Sequence, residues 1–322
     1  MIETGLVCAR FVHLAAAMVI FGLALFPFYG DSHLVGTPAR IYHWRRLSLW
    51  AASLLALVTG VAWGFFTLAA MVGTLRAALD LDSLLSVLRE TSFGPVWAAR
   101  LVLTVVVIGQ LMRRIGDEEG RDPLLLMISA ILLLSLALTG HTQANEGALR
   151  VIHVCVDAAH LVAAGAWLGG LMQLLFLIVL TARFPSADHF NLATGALTRF
   201  SGVGYVAVAV LIATGLVNAW VLLGSVNHLA STPYGQALSL KLMLFLGMLG
   251  LAVHNRFRLV PALTTGVKRA VPDTLRRLRR NVAGEQLLGL TVVGIVRSSA
   301  PCSPQPQFHE VARLGADHLQ SP

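Results

Sequence analysis

Charge is what this sequence has least of. Of its 322 residues only 12% are Asp, Glu, Lys or Arg, while 56% are hydrophobic and the mean hydropathy is +0.74. A soluble domain carries roughly 25% charged residues, so a water-soluble fold is excluded. Cysteine is nearly absent as well. Cys8, Cys155 and Cys302 form no CxxC pair, which removes zinc-ribbon and dithiol redox chemistry. There is no Gly-rich phosphate loop and no DKTGT phosphorylation motif, so neither ATPase chemistry nor any other enzyme activity is expected. The short alternating segments of a transmembrane barrel are missing. Carboxylates in the apolar stretches are too few for a Mg²⁺ or Mn²⁺ transporter. The first apolar stretch, Thr4 to Tyr29, has no basic leader and no small-residue cleavage site, and reads as a retained span.

What remains is a set of long apolar runs. A span needs about 20 apolar residues, and in lipid a helix bundle satisfies every backbone group within each segment. The expected fold is all-α, a single transmembrane bundle over residues 1–296. Its expected spans are 4–30, 46–73, 96–112, 124–140, 151–182, 202–223, 237–255 and 282–296. The eighth is short: about 14 residues give roughly 21 Å of helix against a hydrocarbon core of roughly 30 Å. It reads as truncated, and residues 297–322, with SSAPCSPQPQFHE, as a disordered polar tail of foreign composition, as a frameshift would produce. Between the second and third spans, LRAALDLDSLLSVLRE is amphipathic and expected along the membrane surface.

The net charge of +8 is distributed as a topology signal. Eight of the 24 Lys and Arg lie between Arg256 and Arg280, a stretch expected to be one inter-helix loop. Arg40, Arg45, Arg46, Arg113, Arg114, Arg121, Arg183 and Arg199 fall in the other odd-numbered loops. By the positive-inside rule these loops are cytoplasmic and the N-terminus is periplasmic. The basic block then meets anionic lipid, and nucleic-acid binding is excluded as a reading.

Ionisable groups inside apolar spans are functional candidates by default. Residues 153–170, HVCVDAAHLVAAGAWLGG, hold His153, Asp157 and His160 at spacings of four and three, which places them on one helical face. The topology puts His141 at the outer mouth beside them, His13 at a depth close to that of His160, and His228 in an outer loop. Two imidazoles and a carboxylate can ligate a metal, or Asp157 can orient a ligating ring. Imidazole-rich sites suit copper, zinc, nickel or haem iron, and thioethers such as Met18, Met243 and Met248 would tilt the choice to Cu(I), although core packing is their plainer role. Arg10 shares a face with Glu3 and His13 and can pair with Glu3 or Asp157. Arg100 can pair with a carboxylate or reach outward, and Lys241 can do the same at its helix end. Gly165 and Gly169 form a small-xxx-small pair suited to close helix approach.

Several stretches together resemble the CopD (PcoD) family of bacterial copper resistance membrane proteins over residues 1–290. They are ARFVHLAAAMVIFG, TSFGPVWAARL, TGHTQANEG followed by HVCVDAAHLVAAGAWLGGL, TRFSGVGYVAVAVLIATGLVNAW, TPYGQALSLKLMLFLGMLGLAVHNRFRLVPAL and RRNVAGEQLLGL. The resemblance implies an eight-helix inner-membrane protein of copper homeostasis that moves copper from periplasm to cytoplasm. It also implies a small periplasmic CopC-type partner. Copper as the ligand, and His13, His141, His153 and His160 with Asp157 as its site, come from this resemblance, with Met243 and Met248 and His228 as lesser candidates. Two other readings stand beside it: a haem b electron-transfer protein with His13 and His160 as axial ligands, and a copper-binding subunit that transports nothing.

Overall fold

Lipid offers the backbone no hydrogen-bond partner, and among the described residues the chain accordingly contains helices and turns but no strand. The computed structural model describes residues 1–30, 39–114, 121–139, 147–223, 232–265 and 271–298. Its helices are α1 (Ile2–Gly30), α2 (Ala39–Val72), α3 (Leu81–Glu90), α4 (Phe93–Arg113), α5 (Pro123–Leu134), α6 (Gly147–Arg183), α7 (Ala187–Leu223), α8 (Pro233–His254), α9 (Val260–Thr265) and α10 (Val271–Ser298). Two starts are written into the sequence as a capping residue before proline. Asp122 accepts from the Leu125 amide at 2.9 Å and Thr232 from the Gly235 amide at 3.0 Å, each with proline occupying the first helical turn, where no donor is needed.

Among the described residues six helices are long and apolar enough to cross a membrane: Ile2–Gly30, Ala39–Val72, Phe93–Arg113, Gly147–Arg183, Ala187–Trp220 and Gly235–Leu263. The expected eight are not reached on length and composition. The fourth expected span is α5 continued by a 3₁₀ stretch, Ser135–Thr139, and belongs to a shorter apolar segment, Pro123–Leu138. The eighth is part of the 28-residue α10, whose first turns carry Arg276, Arg277, Arg279 and Arg280.

That last helix also corrects the loop expectation. Arg276 to Arg280 are helical, as are Arg40, Arg45 and Arg46 in α2 and Arg199 in α7, and Arg256 and Arg258 lie in a π-helical turn, Asn255–Leu259. Apolar runs mark what oil covers, whereas helical hydrogen bonding continues past them. At 1.5 Å per residue the 37 residues of α6 extend about 55 Å, far beyond a core of roughly 30 Å. The π turn precedes Pro261, which has no N–H to give the Phe257 carbonyl and crowds it, so the helix widens there.

The core is built on α1 and α6. In each, 67% of the apolar window is buried, against 22% in α7 and 6% in α8, which expose most of their surface. The two central helices meet at glycines. A Cβ on Gly169 would stand 2.5 Å from Gly22 Cα, and one on Gly165 would be 3.7 Å from Met18 Cα. Gly22 and Gly169, and Met18 and Gly165, advance together along the two chains, so the helices run parallel. Close backbone approach is what small residues at this spacing provide in membranes. Around this pair α2 and α5 pack on α1, α7 packs on α6, and α10 lies against α6 and α8. Trp44 stacks on Phe176 with centroids 4.1 Å apart, tying α2 to α6.

Candidate metal-binding face

The parallel crossing sets the level of two histidines. His13 and His160 each lie nine residues before the glycine at which their helices touch, about 14 Å along the axis. Their rings, however, engage different helices. His13 is fully buried against α2, with Nδ1 2.9 Å from the Ala56 carbonyl and its ring edge-on to Trp63 at 5.6 Å. Gly60 leaves room for it, since a Cβ there would stand 3.2 Å from the imidazole. His160 faces α7, with Nδ1 2.8 Å from Thr214 Oγ1.

These contacts determine which nitrogen keeps its lone pair in the neutral rings. A carbonyl only accepts, so Nδ1 of His13 donates to Ala56. Thr214 Oγ1 gives its proton to the Val210 carbonyl at 2.6 Å, so it accepts from His160 Nδ1. In both rings the lone pair is on Nε2. Metal-binding histidines are typically held in this way, the second nitrogen donating to a fixed acceptor.

One turn from His160, Asp157 Oδ1 accepts from Asn218 Nδ2 at 2.7 Å. The antiparallel pairing of α6 and α7 thus sets two polar rungs, Asp157 with Asn218 and His160 with Thr214. Asn218 Oδ1 is buried and has no hydrogen-bond partner among the described residues. Asp157 and Lys241 of α8 are the charged groups close enough to act electrostatically on His160.

The expected cluster is therefore only partly assembled. Asp157 and His160 share the α7-facing side, while His153 is 1% exposed and His13 turns to α2. Among the described residues no group of three or more His, Cys, Asp or Glu is placed to hold a metal ion. His141 and His228 lie outside the described residues. The two imidazoles proposed as haem axial ligands face α2 and α7 rather than each other. Met243 is 70% exposed on α8. Met248 is buried at 5% and packs toward Gly289 of α10. Met18 packs at the glycine crossing.

One other polar residue departs from one of its expected placements. Arg100 does not reach outward: it is 1% exposed, donates to Ser135 Oγ at 3.1 Å and to the Ser135 carbonyl at 2.8 Å, and covers Trp63 at 4.6 Å. Arg10 lies over the same indole at 5.5 Å. Sequence reasoning missed Thr214 and Asn218, whose only sign was a polar pair at i, i+4 inside the apolar VAVLIATGLVNAW. It also missed a buried polar group at the far end of α8, where Asn255 Nδ2 donates to Glu285 Oε1 and Asn281 Nδ2 to Asn255 Oδ1 at 2.8 Å.

Comparison with known proteins gives the same answer in both halves. Residues 1–151 match the family model described as copper resistance protein D-like, N-terminal domain, and residues 194–298 that of copper resistance protein D. The inner membrane protein YebZ of Escherichia coli (strain K12) is 31% identical over 267 residues, which is 83% of this chain and 88% of that protein. Copper resistance protein D of Pseudomonas syringae pv. tomato is 27% identical over 301 residues, 93% of this chain and 96% of that protein. Copper transport protein CutJ of Bacillus subtilis (strain 168) is 29% identical over 223 residues, 67% of this chain but 38% of that protein. No solved structure matches the chain.

Proposed function

The chain belongs to the copper resistance protein D family, and from that membership and the α6–α7 polar face we propose that it is an inner-membrane copper permease, without enzymatic activity, that takes copper from the periplasm toward the cytoplasm. Copper enters where α1 and α6 begin and reaches His160 Nε2 with Asp157 beside it, His141 being the expected entry ligand. His153 binds about 10 Å nearer the outer surface on the same helix, and His13 on the flank at the level of His160. The names of the relatives, copper resistance protein D and copper transport protein CutJ, support copper as the cargo. Imidazole nitrogen is compatible with it.

The observation that carries the reading is the fixed orientation of His160. Thr214, itself anchored on Val210, holds Nδ1 as the donor and leaves Nε2 as a ligand on the side shared with Asp157. The full reading includes eight spans. The α5 segment with its 3₁₀ extension rises about 28 Å, because 3₁₀ residues advance about 2 Å each, close to the membrane core. In α10, Val282 and Val293 are buried against the bundle. The N-terminus is periplasmic, the arginines of α10 meet the anionic cytoplasmic leaflet, and a CopC-type periplasmic protein delivers the metal.

Metal analysis and an absorption spectrum on purified wild type and His160→Ala test this. Copper in the wild type, its reduction in the variant, and no Soret band are expected. A Soret band would replace copper by haem as the ligand. Copper uptake into proteoliposomes then separates a permease from a binding subunit: bound copper without uptake would leave only the latter.

A further inference from the structure

The most deeply buried carboxyl among the described residues is not on the metal face. Glu285 of α10 is 2% exposed, and the groups that hydrogen-bond it are neutral: Asn255 of the π turn after α8, and the Trp167 indole of α6. Asn255 is in turn held by Asn281. Trp167 lies seven residues beyond His160 on the same side of α6, about 10 Å deeper along the axis. The carboxyl therefore closes the line that runs from Asp157 and His160 down α6, and it does so against a widened helical turn of a kind that recurs at functional sites.

Among the described residues, the charged groups and histidines on the elements packed against α10 are Glu3, Arg10 and His13 on α1, Arg150, His153, Asp157, His160 and Arg183 on α6, Lys241 and His254 on α8, and Arg256 and Arg258 in the π turn. Among the described side chains none of them bonds to Glu285, nor do Arg276, Arg277, Arg279 and Arg280 of α10 itself. A purely structural buried carboxylate would be expected to have a cationic partner. One with neutral partners gains or loses a proton without breaking an ion pair. Intramembrane carboxyls so placed serve proton relays in transporters.

We propose that Glu285 is a proton-binding site that couples proton movement to copper passage. As the cation moves inward from His160, the Glu285 O–H bond breaks, the proton leaves to water on the periplasmic side, and the carboxylate offsets the incoming positive charge. Release of copper to the cytoplasm is followed by reprotonation from water on the cytoplasmic side. Exchanging a proton for a monovalent cation adds no net charge to the low-dielectric interior. This rests on the permease reading.

Glu285→Gln keeps an oxygen that accepts from Asn255 and Trp167 but cannot release a proton. Proteoliposomes carrying wild type, Glu285→Gln or Glu285→Asp would be given copper while a lumenal dye reports pH. Wild type and Glu285→Asp are expected to show copper uptake with opposite proton movement and a rate that depends on the pH gradient. Glu285→Gln is expected to lose both, while binding copper in detergent as the wild type does. Wild-type proton movement in Glu285→Gln overturns the coupling and leaves the permease reading intact. Wild-type copper uptake without proton movement does the same, and a wild type that moves no copper removes both. Should Glu285→Gln fail to insert, the infrared carboxylic-acid band that shifts between wild type and Glu285→Asp decides: its loss on copper addition is expected, and its persistence overturns the proposal.

Discussion

Gly22 of α1 and Gly169 of α6 face each other so closely that a methyl on Gly169 would stand 2.5 Å from the Gly22 Cα. This contact sets the equal level of His13 and His160. Gly169→Leu is expected to destabilise the protein by about 1–3 kcal/mol, the usual cost of overpacking, seen as a lower unfolding midpoint in detergent. Gly204→Ala, where nothing lies within 4 Å, is the control and should leave the midpoint unchanged or slightly raised. Equal midpoints for the two variants would show that the crossing is not tight.

In the proposed site Thr214 acts on copper through His160, whose Nδ1 it holds. Replacing it by Val removes the acceptor for Nδ1 but keeps the shape. The fold should lose only about 0.6 kcal/mol, the average for a hydrogen bond between membrane helices. Copper affinity should fall about 10–100-fold, as it does when a ligand's supporting partner is removed. Thr214→Ser should restore it. Competition titration against a copper chelator measures this, and an unchanged affinity in Thr214→Val would mean that His160 binds no metal.

The helical fold and the glycine crossing could be read from the sequence because apolar composition and small-xxx-small spacing are local patterns. Helix ends could not. Arg45 is 4% exposed inside α2, and the Arg276–Arg280 run winds into α10, because backbone hydrogen bonding outlasts the apolar run that hydropathy detects. The spacing of 153, 157 and 160 placed three groups on one face correctly as geometry. It did not say which neighbour each would meet, and His13 in particular turns to α2. Thr214, Asn218, Asn255 and Glu285 become partners only when α6 meets α7 and α8 meets α10. No single-helix pattern records those pairings.

His13 and His160 are level but hydrogen-bond different helices, α2 and α7, so their contributions to copper binding should be independent. His13→Ala and His160→Ala should add in the double variant to within about 0.5 kcal/mol of binding free energy. If one copper ion or one haem iron were held by both rings, either single change would cost nearly as much as the pair. Strong non-additivity in the titrations would therefore restore the shared site.

Arg100 supports the bundle where α5 tightens. Ser135 ends the α-helical part of α5, and its carbonyl is one of those a helix leaves unsatisfied at its C-terminus. Arg100 from α4 answers both the carbonyl and the hydroxyl of that residue with a planar fork, while its flat face covers Trp63. Lysine has a charge but neither the fork nor the plane. Arg100→Lys is therefore expected to destabilise almost as much as Arg100→Met, each by about 1–3 kcal/mol for buried acceptors left without donors. Thermal unfolding of the detergent-solubilised variants checks this. Full rescue by lysine would mean that Arg100 contributes charge alone and that the geometry at Ser135 is incidental.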